Sequence, residues 1–332
     1  MRTRIALVGA GSVARRHVGV LTSLDDVSIV AVADPLETAA QKLAQQCDAR
    51  PFRDVEEALD GTEPDAVYIC VPPFAHGPPE KAVLARGLPM FVEKPLAVDL
   101  ATAEDVAAHA EHAGVVTGTG YHWRCLDVVA EAQELLRDAA PLLACGYWLD
   151  KRPTAAWWAH PDRSGGQVVE QLTHVVDLAR LLLGEAVEVY AAGARRPTPA
   201  AGTTDPGDVD DATAATVRFV SGAVATLATT SLLDVKHRAA LHIFRRGVVL
   251  ELSETGMVVT NGSSRRYSRP AEDPRVTVDR EFIEAVRGER AATRAPYTGI
   301  VRSHQLGCAI AESARTRQPV SIPTGVTARK TQ

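Results

Sequence analysis

Short apolar runs alternate with helix-period stretches through the first third of the chain. Ile5–Val8, Val27–Ala33, Ala66–Val71, Pro89–Val92 and Val115–Gly120 each read as a buried strand, with a shorter one over Arg50–Phe52. Between them the stretch after Gly9–Ala14 toward Leu24, then Thr38–Cys47, Val55–Leu59, Pro79–Arg86 and Ala101–His112, read as helices. Strands lacking a polar face are buried on both faces. The alternation therefore predicts a parallel, doubly wound sheet with helices on either side.

After about residue 122 the pattern changes. Leu142–Leu149, Val187–Ala194, Ala212–Val220, Ala223–Ser231, Arg238–Arg245, Val248–Leu252 and Met257–Thr260 read as longer strands. Ser221-Gly222, Arg246-Gly247 and Thr255-Gly256 lie between consecutive runs and predict hairpin turns. A large, mostly antiparallel open sheet is expected, with helices over Gln167–Gly184, Glu281–Arg287 and Ile300–Arg317. Pro197–Asp211 and Gly262–Pro274 are polar and read as loops. The change in pattern divides the chain into domains over 1–121 and 122–332. An open sheet must cover both faces; helices cover one and a second copy the other, so a homodimer or homotetramer is expected.

At 332 residues the chain is long enough for two cores. A formal net charge of −5 gives no basic footprint for nucleic acid. The five cysteines are scattered, odd in number and never in a C-x-x-C pair, which points to a reducing compartment. The N-terminus runs straight into a strand and no apolar run reaches the length of a membrane span. A soluble, cytoplasmic protein is expected.

The unusual residues of the first third fall at carboxyl ends of strands: Gly9–Gly11, Asp34, Pro72-Pro73, Glu93-Lys94-Pro95 and Tyr121-His122. In doubly wound folds that edge is where ligands bind. Gly9-x-Gly11-x-x-Ala14 follows a strand and opens a helix, the setting of a dinucleotide turn, with Ser12 and Val13 at the helix N-terminus that receives a pyrophosphate. Asp34 would accept hydrogen bonds from ribose hydroxyls and repel a 2′-phosphate, so NAD is favoured over NADP. Asp34-Pro35 also fits a simple turn. Val71, Pro72, His76, Glu93 and Lys94 lie on the same edge as further cofactor contacts. Lys94 ends a buried strand, and Pro95 restricts its backbone. No metal-ligand set stands out.

A second group sits in the predicted helix after Gly165-Gly166. Glu170, His174 and Asp177 share one helical face opposite Val168, Leu172, Val175 and Val176. That face reads either as a solvated stripe or as one wall of a cleft. Trp157 and Trp158 precede it as wall or core residues, and Arg124, Arg152 and Arg163 are candidates for an anionic substituent.

Together these residues resemble the glucose–fructose oxidoreductase / inositol dehydrogenase / rhizopine-catabolism (Gfo/Idh/MocA) family. The resemblance rests on Gly9-x-Gly11-x-x-Ala14 with His17, Asp34, Val71-Pro72-Pro73-x-x-His76, Glu93-Lys94-Pro95, Gly120-Tyr121-x-x-Arg124, Gly165-Gly166…Glu170-x-x-x-His174-x-x-Asp177 and the C-terminal Arg302…Ala309-x-x-Glu312-Ser313-Ala314. It implies a Rossmann domain followed by an α/β domain on an open sheet, NAD(P), and hydride transfer at a secondary alcohol of a sugar or cyclitol. It further implies that Lys94 and His174 lie beside the nicotinamide, with Glu170 as the accompanying acid; Tyr121, Arg124, Trp158 and Asp177 are read as the neighbouring substrate contacts. Glu170 stands where aspartate is commoner, Pro73 where asparagine is frequent, and His122 where other polar residues are usual. Either His174 removes the hydroxyl proton while Lys94 stabilises the alkoxide, or Lys94 takes the proton itself. Rival readings are an NAD-dependent glycosidase using transient oxidation, a nucleotide-keto-sugar reductase and a non-catalytic NAD-binding sensor.

Overall fold

The structure is a computed structural model and describes residues 2–137, 140–196 and 207–324. The chain packs as two compact units: residues 1–127 with 160–165 and 270–304, and residues 128–159 with 166–269 and 305–332. The change of sequence pattern near 122 falls close to the first crossing, but each unit also takes up segments from further along the chain.

In the first unit, strands β1 (Thr3–Val8), β2 (Val27–Ala33), β3 (Arg50–Phe52), β4 (Ala66–Ile69), β5 (Met90–Val92) and β6 (Thr117–Thr119) form a six-stranded sheet of order β3-β2-β1-β4-β5-β6. All its pairings are parallel. Helices α1 (Ser12–Leu21), α2 (Glu37–Gln46), α3 (Val55–Thr62), α4 (Pro78–Ala85) and α5 (Leu100–Ala113) make the crossovers. Strong local signals start them: Asp54 and Asp99 cap α3 and α5 by accepting the backbone N–H of Glu57 and Thr102. Register aligns the strand ends. Val8 pairs with Ala33 and with Ile69, Ile69 with Val92, and Val92 with Thr119. The residues that follow those four rungs are Gly9, Asp34, Cys70, Glu93 and Gly120. One row therefore carries the glycine turn, the acid and the residue before Lys94.

The second unit begins with α6 (Asp127–Leu136) and β7 (Leu143–Lys151), and the chain then passes through the short helix α7 (Pro161–Ser164), which belongs to the first unit. It continues as α8 (Gly166–Glu170), α9 (Thr173–Leu183), β8 (Ala186–Ala194), β9 (Ala212–Phe219), β10 (Val224–Leu233), β11 (Arg238–Arg245), β12 (Val248–Ser253), β13 (Gly256–Asn261) and β14 (Ser264–Ser268). Helix α10 (Pro274–Val286) returns to the first unit, α11 (Tyr297–Thr316) runs across the 304/305 division, and β15 (Val320–Ser321) closes the sheet. Nine strands pair in the order β14-β13-β12-β11-β7-β10-β9-β8-β15. Only β7 and β10 are parallel; every other pairing is antiparallel. The three expected hairpins form, with Gly222, Gly247 and Gly256 at positive φ. Helix α9 lies on β7 and β11. It comes so close that a Cβ on Gly146 would meet Val175 Cγ1 at 2.5 Å.

Two expectations are corrected. The polar stretch Gly262–Pro274 is not all loop: Ser264–Ser268 pairs with β13 as a largely exposed edge strand, so it has no buried face to reveal it. The helix over Gln167–Gly184 is broken. The Leu172 N–H skips back five residues to the Gln167 carbonyl, and α9 restarts at Thr173. Of the expected loop over Pro197–Asp211, residues 197–206 lie outside the described residues. Among the described residues no helix is long and apolar enough to cross a membrane.

Candidate active site

The first half of the candidate site is built on the strand-end row. Gly9 has φ +95°, and a Cβ there would stand 2.4 Å from the Cys70 carbonyl oxygen, so only glycine fits. Gly11 is different. Nothing lies within 4 Å of its Cβ direction, and as N-cap of α1 it provides no side-chain cap. That open space at Gly11, where α1 starts with Ser12 and Val13, leaves room for a pyrophosphate, so these residues fit a dinucleotide. Asp34 braces the turn: Oδ2 accepts the Ala10 N–H at 2.8 Å and Oδ1 the Leu36 N–H at 2.8 Å. The turn-forming and cradle-bracing roles of Asp34 thus coexist.

Val71 and Pro72 lead into a 3-10 turn over Pro73–Ala75. His76 is buried; its Nδ1 is 2.5 Å from Glu80 Oε1, while Glu80 Oε2 accepts the Gly77 N–H. His76 Nε2 is buried with no hydrogen-bond partner among the described residues.

Glu93 is held from three sides. Its Oε1 lies 2.6 Å from Arg16 Nη2 and 2.9 Å from His17 Nε2, and Oε2 accepts the Lys94 peptide N–H at 2.9 Å. Burial opposes its charge, but the His17 hydrogen bond and then the Arg16 charge outweigh burial and hold the carboxyl far below the usual range. A Cβ on Gly120 would strike this carboxylate at 2.3 Å. Lys94 is half-buried and joined to Pro95 by a cis peptide. Tyr121 is fully buried, and Arg124 Nη1 donates to the Arg294 carbonyl at 3.4 Å. Burial pushes His122 down to about 4 against the pull of Glu93.

A second group of candidate residues lies in the other unit. His174 and Asp177 are buried, at 3% and 1% exposure, which discards the solvated-stripe reading. Because the helix is interrupted, Glu170 closes α8 while His174 and Asp177 belong to the first turns of α9. The three do not form one straight helical stripe. Trp158 is buried and donates its Nε1–H to Glu170 Oε2 at 3.0 Å. The Trp148 ring lies 5.9 Å from that of His174, inclined by 30°. Arg163, in the first unit, stacks over Phe74 at 4.2 Å.

Asp279 and Trp148 escaped the sequence reading. Asp279 reaches His17 across 262 positions, and no local signal announces such a contact. The signal for Trp148 is the inward alternation of β7, where it follows Gly146 by two residues. Among the described residues no group of three or more His, Cys, Asp or Glu side chains is placed to hold a metal ion.

Residues 3–121 match the GFO/IDH/MocA family model described as "Oxidoreductase family, NAD-binding Rossmann fold", and residues 141–246 match the family's C-terminal domain model. Among curated relatives, scyllo-inositol 2-dehydrogenase (NAD(+)) of Bacillus subtilis (strain 168) is 30% identical over 190 residues, 55% of this chain and 54% of that protein. The alignment thus spans about half of that relative. 1,5-Anhydro-D-fructose reductase of Ensifer adhaerens is 26% identical over 347 residues, 97% of this chain and 99% of the relative. The solved structure of levoglucosan dehydrogenase in complex with NADH and levoglucosan superposes with a TM-score of 0.87 at 18% identity, covering 97% of this chain and 100% of that one. That likeness concerns the fold.

Proposed function

Since the chain belongs to the GFO/IDH/MocA oxidoreductase family, we propose that it is an NAD-dependent dehydrogenase or reductase acting on a secondary alcohol or ketone of a sugar or cyclitol. The observation that carries this reading is the strand-end row, on which the glycine cradle, Asp34 and Glu93-Lys94 follow successive paired rungs. NAD, when bound, supplies the hydride acceptor. Gly9, Gly11, Ser12 and Val13 hold its pyrophosphate, Asp34 its ribose, and Val71, Pro72 and His76 flank it.

The protein's own chemistry is proton management. His174 takes the substrate hydroxyl proton as general base, and Lys94 donates to the same oxygen as alkoxide charge develops. Glu170 and Asp177 receive neighbouring hydroxyls, with Trp158 fixing the Glu170 carboxylate. Family correspondence, together with the burial of His174 beside Trp148, supports this division of roles. Asp34 makes NAD the preferred cofactor over NADP.

Cyclitols and anhydro sugars come first as substrates because sequence relatives carry those names. The test is a panel of cyclitols, free and anhydro sugars and nucleotide sugars, read by NADH absorbance in both directions. Turnover of one member with NAD supports the proposal. Release of a free glycone without net NADH, or no turnover with any alcohol or ketone, defeats it.

A further inference from the structure

A buried chain of charged groups connects α10 to the residue beside Lys94. His17, 1% exposed, has Nδ1 at 2.7 and 2.9 Å from the two Asp279 oxygens and Nε2 at 2.9 Å from Glu93 Oε1. Its ring packs against the stacked pair Tyr68 and Phe91, each centroid 5.2 Å away. Arg16 of α1 closes on the same Glu93 oxygen from the glycine-turn side.

The hydrogen-bond geometry constrains the protons. Each ring nitrogen faces a carboxylate, and ionised carboxylates only accept. A neutral imidazole has one N–H, so one of these contacts would set acceptor against acceptor. Both Asp279 oxygens converge on Nδ1, a pattern suited to one N–H shared between two acceptors rather than to a carboxylic acid donating from one oxygen. Burial raises the Asp279 carboxyl too, so this pair contends for one proton; the bidentate contact assigns it to the ring. Consistently, His17 is raised to about 9: burial alone would lower it, but the charge and hydrogen bond of Asp279, then those of Glu93, overcome burial.

We infer that His17 is a positioning residue for Lys94: gripped by Asp279, it fixes Glu93, whose second oxygen holds the Lys94 peptide N–H. This rests on the reading of Lys94 as a catalytic residue. It adds that a helix from residues 274–286 sets the lysine's place through two ion-paired hydrogen bonds. The charges that face His17 are those of Asp279 from α10, Glu93 at the end of β5 and Arg16 of α1; β4 and β5 add the Tyr68 and Phe91 rings, the Tyr68 phenol being felt by Asp279.

The test is a double-mutant cycle on kcat in the full-length protein, with NADH affinity measured by fluorescence for every variant. His17→Gln and, separately, Asp279→Asn should each lower kcat about 10- to 100-fold, the scale of a small displacement of a catalytic group. NADH affinity should change less than about twofold. In a Lys94→Ala background neither substitution should lower kcat further, because a relay acting through Lys94 has nothing left to position. Asp279→Asn preserves the shape of the contact, so the cycle remains readable if His17→Gln folds poorly. Losses that add fully to that of Lys94→Ala, or wild-type kcat in both single variants, overturn the inference. Full turnover by Lys94→Ala itself instead overturns the catalytic reading on which it rests.

Discussion

The two units surround their candidate catalytic residues with different chemistry. Lys94 stands at a strand end beside the Glu93 carboxylate, which is fixed by Arg16, by His17 and by the Lys94 peptide N–H. His174 stands at the start of a helix pressed onto a sheet, beside a tryptophan ring, with apolar Val175 and Val176 next to it. Ionic placement is directional and specific, but it depends on protonation. Placement by packing is indifferent to pH and intolerant of volume. The two units should therefore fail under different perturbations.

The largest effects should come from removing the acting groups. His174→Ala is expected to lower kcat by about 10²- to 10⁴-fold, the usual worth of a positioned acid–base group. Lys94→Ala should cost about 10²- to 10³-fold, the scale of one lost donor to a developing oxyanion. NADH affinity should stay within about threefold in both, since neither belongs to the pyrophosphate cradle. Steady-state kinetics with parallel NADH titration decides this, and wild-type turnover by either variant removes that residue from the scheme.

Added volume should separate folding from binding. Gly9→Ala forces a left-handed residue against the Cys70 carbonyl and should destabilise the first unit by about 2–4 kcal/mol. Gly146→Ala drives a methyl into Val175 and Leu227 and should cost about 1–3 kcal/mol while also shifting α9 and reducing kcat. Gly11→Ala meets open space, so melting of the free protein should change little while NAD binding weakens at least about tenfold through the filled cradle. Thermal melts with and without NAD distinguish the three. Equal destabilisation by all three would refute the contrast.

The pH response should belong mainly to the ionic half. His17 has a folded value of about 9 against 6.5 unperturbed, so its contribution is complete below about pH 6.5 and disappears as pH rises through 9. Its loss is expected to cost about 3 kcal/mol, and His17→Gln should flatten that alkaline limb. His122 and His304 act in the reverse sense. Burial brings each down to about 4, so the stability they give as neutral groups is present above about pH 6.5 and is lost as pH falls toward 4. Denaturant unfolding from pH 4 to 10 measures both limbs, and an unchanged alkaline limb in His17→Gln would contradict the assigned charge.

What the sequence disclosed follows the same division. The glycine turn, Asp34 and Glu93-Lys94 are local motifs at the ends of apolar runs, and parallel register alone lines them up. The contact of His17 with Asp279 was hidden because two single polar residues 262 positions apart carry no periodicity. In the second unit the hairpins were legible from their glycines. The break at Gln171-Leu172 was not, since no glycine or proline marks it and Gln167 and Gln171 bond through their side chains as an ordinary i, i+4 pair. Burial of His174 and Asp177 was legible in part: the flanking Leu178 and Leu181 and the glycine pair favour a cleft wall, while a helical wheel alone leaves a polar stripe in solvent.

The smallest expected effect tests whether Glu170 needs a fixed orientation despite that break. Trp158 is buried and offers its indole N–H to Glu170, whose residue is only half-buried. Trp158→Phe keeps most of the ring volume and deletes this one donor. Water can partly replace it at a half-buried carboxylate, so the loss should be about 1 kcal/mol, near the low end for a hydrogen bond to a charged group. If Glu170 serves to bind a substrate hydroxyl, that energy should appear as about a fivefold rise in KM with kcat within about twofold. A fall in kcat at constant KM would instead make Glu170 part of the proton-transfer machinery. The second unit would then position two groups for proton transfer, His174 beside the Trp148 ring and Glu170 by the Trp158 indole N–H.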